Sequence, residues 1–179
     1  MTPFTELSSR SVTLAVDDVD TDQIIPARFL KGTSKTGLGE HLFADWRARP
    51  GFPLGTPDAA GAQILIAGAN FGCGSSREHA VWALVDWGFR AVVARSFADI
   101  FRENAVKNGL LAIALPDDAC RELAGEATID IDLAAQRIAG HAFEIDAFAR
   151  HCLLTGLDEL GYLLSLEGAI RDHELRSAR

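Results

Sequence analysis

The stretch Ile64-Leu65-Ile66-Ala67-Gly68-Ala69-Asn70-Phe71-Gly72-Cys73-Gly74-Ser75-Ser76-Arg77-Glu78-His79 decides how this chain folds. It begins with an apolar run that reads as a strand, passes through a turn punctuated by three glycines, and runs on into the helical pattern Ala80-Val81-Trp82-Ala83-Leu84. Strand, glycine turn and helix start, in that order, make a geometry suited to holding an anion. The first N–H groups of a helix have no intrahelical partner and carry partial positive charge. Two hydroxyls and a guanidinium, from Ser75, Ser76 and Arg77, sit on top of them.

The same residues also fit a plain helix start, because Ser75-x-x-Glu78 matches a capping box. Neither familiar phosphate fingerprint is present. The turn lacks the lysine of a nucleotide P-loop, and Gly72-x-Gly74 has no third glycine at the offset a dinucleotide fold requires. Arg77 beside paired serines favours anion binding, since a cap needs only one hydroxyl. Its planar fork of donors matches a carboxylate in two bonds. The turn is expected to receive a carboxylate-bearing ligand.

Working outward, residues 12–16 read as a first strand and 17–22 as an acidic turn, with Pro26 stopping any ladder or helix at its own position. Residues 32–39 should be mobile, and 41–49 hold a short helix. A strand at 63–67 leads to a helix from about 76 to 86, capped by Gly88. Next come a second strand at 90–94, a helix over 97–108 ended by Gly109, a short apolar segment at 111–115 and a helix at 117–124. This β-α-β-α order implies parallel pairing with helices on at least one face. The texture then changes to strict alternation over 127–133 and part of 138–145, which predicts an antiparallel hairpin. From 147 onward the chain is expected to be mostly helical, with a break at Gly156. The fold class is α/β, a mixed sheet with flanking helices and an appended hairpin, in one domain spanning 1–179.

Composition narrows the function. A chain of 179 residues, 48% hydrophobic and 23% charged, can bury a real core. No apolar run approaches the roughly 20 residues that span a bilayer, and the N-terminus resembles no leader, so no membrane association is expected. With 25 acidic against 17 basic residues the net charge is −8, which argues against a nucleic-acid partner. Three scattered cysteines, Cys73, Cys120 and Cys152, fit a reducing compartment and a cytoplasmic protein better than a disulfide framework. Cys73 reads as a small residue packed between glycines. The five histidines form no zinc-type motif, and no self-contained metal site is expected.

Two turns stand out together, Asp20-Thr21-Asp22-Gln23-Ile24-Ile25-Pro26 and the glycine-serine run at 72–79. With His41-Leu42-Phe43, Asp45-Trp46-Arg47, Ser96-Phe97-Ala98-Asp99-Ile100-Phe101 and Asn108-Gly109-Leu110-Leu111, they make the chain resemble the 3-isopropylmalate dehydratase small-subunit family over nearly its whole length. The Gly74-Ser75-Ser76-Arg77-Glu78-His79 run is shared with the wider aconitase superfamily, so the resemblance implies the swivelling β/β/α domain of that superfamily. It implies dehydration of 2-isopropylmalate and rehydration to 3-isopropylmalate, in leucine biosynthesis. It also implies a [4Fe–4S] cluster carried by a separate large subunit; the scattered cysteines here lack the clustered spacing of iron–sulfur ligands. This chain is therefore expected to hold half an active site and to need that partner.

By the same resemblance Ser75 is the base that takes and returns a C–H proton. Arg77 grips a substrate carboxylate and Ser76, with the turn's backbone amides, shares it; an ion pair of Arg77 with Asp22 or Glu78 is the alternative. Asp22 orients Ser75 or Arg77, although a solvated turn aspartate reads equally well. Glu78 and His79 are scaffold. Substrate choice is expected in the loop at 27–31, where Leu30 suits an isopropyl group. Arg28 there leaves room for a polar substrate of the homoaconitase type, and a methylmalate-type dehydratase is a near alternative.

Overall fold

The computed structural model describes residues 1–30, 32 and 34–177. Lys31 of the expected specificity loop lies outside the described residues, as do Thr33, Ala178 and Arg179. The strands are β1 (Glu6–Ser9), β2 (Ser11–Leu14), β3 (Ile64–Ala67), β4 (Ala91–Ala94), β5 (Leu111–Ala114), β6 (Ile129–Asp132), β7 (Arg137–Ile138) and β8 (His141–Ala142). The helices are α1 (Thr21–Ile24), α2 (Ala44–Arg47), α3 (Glu78–Trp87), α4 (Asp99–Lys107), α5 (Asp117–Ala124), α6 (Ala147–Thr155), α7 (Glu159–Ser165) and α8 (Glu167–Ser177).

Parallel and antiparallel pairing divide between two sheets. Strands β2, β3, β4 and β5 form a parallel sheet in that order, and β1, β6, β7 and β8 an antiparallel one. β3 and β4 are buried at every residue, as continuous apolar runs in a covered parallel sheet should be. Alternate residues serve opposite faces. Leu65, Ala67, Val92 and Ala94 pack with Ala80, Val81 and Leu84 of α3 and Phe101 of α4. Ile64, Ile66, Ala91 and Val93 pack instead against Ile129, Ile131 and Ile138 of the antiparallel sheet, with Cys120 and Leu123 of α5 and Leu153 of α6. Helices, parallel sheet and antiparallel sheet therefore stack in the β/β/α order that the resemblance implies.

Several boundaries differ from the sequence expectation. β1 is an additional strand; its partner β6 lies far along the chain, in the register Leu7 opposite Ile131. The acidic turn contains a real helical turn, α1, and it holds the capping box: Asp20 accepts from Gln23 N–H at 2.8 Å and Gln23 accepts from Asp20 N–H at 2.9 Å. No such box exists at Ser75 and Glu78, since α3 begins at Glu78 with Arg77 as its uncapped N-cap residue. The C-terminal stops at Gly88 and Gly156 are as expected, both with positive φ. Described parts of the 32–39 loop are pinned: Lys35 Nζ donates to Asn108 at 2.9 Å and the Gly39 N–H to Asp86 at 2.7 Å.

Candidate active site

Beyond the C-terminal ends of β2, β3 and β4 the chain makes three successive turns, and parallel pairing resumes there in two isolated bridges. Asp20 pairs with Cys73 and Phe71 with Phe97. The interruption between strand and bridge is where Asp18 and Asn70 take left-handed conformations, with φ of 54° and 55°. The Asn70 side chain donates to the Asp18 carboxylate at 2.8 Å. Open α/β sheets place their ligands at this carboxyl edge.

Gly72 and Gly74 shape the glycine-serine turn. Gly72 has φ +77°, and a Cβ built on it would stand 2.2 Å from the Phe101 ring. Thr21 then clasps the turn from α1. Its N–H donates to the Cys73 carbonyl at 2.9 Å and its hydroxyl to the Ser75 carbonyl at 3.0 Å. Cys73 itself is held protonated, its thiol pushed up by burial first and by the neighbouring Asp20 and Asp18 charges second.

The structure brings Ser75, Ser76, Arg77 and Asp22 together. Ser75 and Ser76 are exposed, and among the described residues neither hydroxyl has a hydrogen-bond partner. Arg77 is mostly covered, its side chain 22% exposed, and its Nη1 donates to the Asp22 carboxylate. The ion pair that stands as the alternative role for Arg77 is therefore present. That hydrogen bond, ahead of the opposing effect of partial burial, holds the Asp22 carboxyl below the usual carboxylate range. Among the described residues only Nη1 is engaged, which leaves the other guanidinium nitrogens open to a second carboxylate. Asp22 also accepts the Ala27 N–H at 3.2 Å, which ties the start of the expected specificity loop to the same helix turn.

Glu78 is the acid that does not pair with Arg77. Its carboxylate accepts from Asn108 at 2.8 Å and from Trp82 Nε1 at 3.1 Å, inside the α3–α4 packing. His79 packs against Trp82 at a tilt, with ring centroids 4.4 Å apart, and is hydrogen-bonded to the Gly32 carbonyl at 3.2 Å. Leu30 is half-buried against the core under α1. Arg28 is taken up by a two-bond ion pair with Asp45 and lies over the Phe29 ring at 4.6 Å. Sequence reasoning assigns Thr21, Asp18 and Asn70 no role; a threonine hydroxyl that bonds across 54 residues leaves no local signal.

Among the described residues no three His, Cys, Asp or Glu side chains gather as a metal-binding group. Cys120 and Cys152 are buried, and the Cys120 thiol donates to the Leu115 carbonyl at 3.6 Å. These cysteines do not fit an iron–sulfur cluster.

The aconitase C-terminal domain family matches residues 1–118. Three curated relatives are similar over nearly the whole chain. The 3-isopropylmalate dehydratase small subunit of Solibacter usitatus is 53% identical, over 97% of this chain and 94% of its own length. Those of Roseiflexus sp. and Anaeromyxobacter dehalogenans are 50% and 52% identical, each over 97% of this chain. Among solved structures, a 3-isopropylmalate dehydratase from Methanocaldococcus jannaschii superimposes with a TM-score of 0.71 at 31% identity, covering 94% of this chain and 99% of its own.

Proposed function

The chain belongs to the family of 3-isopropylmalate dehydratase small subunits, and on that premise we propose that it is the substrate-gripping half of a 3-isopropylmalate dehydratase, a hydro-lyase of leucine biosynthesis. Its partner is a large subunit, and the whole chain, 1–179, acts as one swivelling unit against it. The family resemblance implies a [4Fe–4S] group on that large subunit, and cysteines here that fit no cluster support that placement. When bound there, it supplies the Lewis acid for the departing hydroxyl.

One observation carries the assignment of roles: two unpartnered, exposed hydroxyls beside a guanidinium that Asp22 engages through a single nitrogen. Arg77 offers its remaining nitrogens to a substrate carboxylate, and Ser76 with the free amides of the turn completes the grip. Ser75 Oγ takes a proton from the methylene next to a carboxylate as hydroxide leaves the neighbouring carbon, giving isopropylmaleate. Returning the proton to the carbon that bears the isopropyl group, as hydroxide from water adds to the former methylene carbon, gives 3-isopropylmalate. The adjoining helix N-terminus favours negative charge on Ser75 by up to about 2 kcal/mol when partly buried. Arg77 adds to this, and docking of the partner excludes water, which strengthens both effects. With Arg28 committed to Asp45, Leu30 is left to meet the isopropyl group, which favours 2-isopropylmalate over homocitrate. Three free thiols suit the reducing cytoplasm, where we place this reaction.

Reconstitution with the large subunit tests the reading. The complex should turn over 2-isopropylmalate far faster than homocitrate or methylmalate; the reverse order would remove the leucine assignment. Ser75→Ala should assemble normally, unfold within about 0.5 kcal/mol of the parent because its hydroxyl has no partner, and lose at least about 100-fold in kcat. Full activity of that variant would end the role given to Ser75.

A further inference from the structure

Thr21 and Ser9 are the buried polar side chains among the described residues, and Thr21 is the more deeply placed, at 2% exposure. A threonine at the start of a helix ordinarily bonds to its own turn, but here that position is filled. Asp20 caps α1 and Gln23 answers it, so the Thr21 hydroxyl has no local task. It reaches across to the Ser75 carbonyl instead, at 3.0 Å, while the Thr21 N–H holds the Cys73 carbonyl at 2.9 Å. The two bonds straddle Gly74, which has φ +89° and whose missing Cβ would sit 3.3 Å from the Asp20 side chain. Glycine is the freest backbone unit. Without the second bond Gly74 becomes a pivot, and only the start of α3 still restrains the serine beyond it.

We propose that Thr21 is a positioning residue for Ser75, its hydroxyl setting the direction in which the Ser75 side chain leaves the turn. The proposal rests on the role given to Ser75 above. It also explains why one four-residue helix carries both devices. Asp22 orients the carboxylate-binding arginine and its neighbour Thr21 orients the base, so grip and proton transfer share one rigid reference.

Removing the hydroxyl separates positioning from stability. The Ser75 carbonyl also accepts the Arg77 N–H at 2.7 Å, so in Thr21→Val it keeps a partner while an isosteric methyl fills the space. The melting temperature should fall by no more than about 4 °C. In the reconstituted complex acting on 2-isopropylmalate, kcat should fall about 10- to 100-fold with KM within about threefold. Thr21→Ser, which keeps the hydroxyl and drops the methyl, should recover kcat to within about threefold of the parent. Unchanged kcat in the valine variant, or a serine variant no better than valine, overturns the proposal. A second arm needs no substrate. In the isolated chain, hydrogen exchange at the Thr21 and Arg77 amides should quicken in the valine variant and not in the serine one; equal exchange in both overturns the proposal independently. If the parent complex ignores 2-isopropylmalate, the function reading falls, and the exchange arm still decides Thr21.

Discussion

Replacing Gly72 with alanine is the sharpest perturbation of the turn, because two separate penalties meet at one atom. At φ +77° an L-residue pays left-handed strain of roughly 1–2 kcal/mol. The new methyl would also stand 2.2, 2.4 and 2.6 Å from Cγ, Cδ2 and Cβ of Phe101, where carbon atoms rest at about 3.5–4.0 Å. Phe101 cannot swing away. It is 3% exposed, meets Phe71 edge-on with centroids 5.2 Å apart, and stacks on Phe97 at 6.1 Å. Overpacking of that kind costs about 1–3 kcal/mol. The sum, about 2–5 kcal/mol, corresponds to a fall of roughly 4–20 °C in melting temperature for a chain of this size.

The fold contains its own control. Gly51 has the same φ, +77°, with nothing within 4 Å of its missing Cβ. Gly51→Ala therefore carries the strain without the clash. Urea denaturation of the two variants should differ by about 1–3 kcal/mol, and Phe101→Ala, which deletes two of the three clashing atoms, should show a favourable coupling of about 1–2 kcal/mol with Gly72→Ala. If Gly72→Ala and Gly51→Ala unfold within about 0.5 kcal/mol of each other, the close approach of Phe101 is not what excludes a side chain at position 72.

Two further changes probe the charged groups. Arg77→Lys keeps the charge and loses the fork, so kcat/KM for 2-isopropylmalate should drop about 10- to 100-fold, chiefly through KM; an unchanged KM would mean that Arg77 does not hold the substrate. Glu78 has its carboxyl lowered, first by the Asn108 hydrogen bond, with Trp82 and Lys35 adding to it. A depressed folded value means that the stabilisation is present above the ordinary carboxylate range and lost as pH falls through the folded value. With a side chain 39% exposed the effect is modest. Glu78→Gln should cost about 1 kcal/mol at neutral pH, and the gap should close below about pH 4. A gap constant from neutral pH to acid would show that the charge of Glu78 contributes nothing.

What the sequence shows and what it hides divides along contact distance. The strands at 64–67, 91–94 and 111–114 are visible because a sheet covered on both faces needs unbroken apolar residues, and the stop at Gly88 because a left-handed cap needs glycine. Strand β1 is invisible. Glu-Leu-Ser-Ser has one apolar residue, and only its pairing with β6, more than half the chain away, makes it a strand. The capping box is a fairer test, since its pattern occurs in both turns of the proposed site. It forms at Asp20, where Gln23 can fold back, and fails at Ser75, where Glu78 is drawn off by Asn108 and Trp82. That failure leaves the Ser75 hydroxyl free. A serine capping its own helix would have its oxygen spent on a backbone N–H; here the long-range pull on Glu78 and the clasp of Thr21 hold the turn without it. The glycine-serine run therefore marks where the proposed site lies, and the acidic turn about 50 residues earlier, with its short helix, leaves the Ser75 hydroxyl available for the role proposed for it.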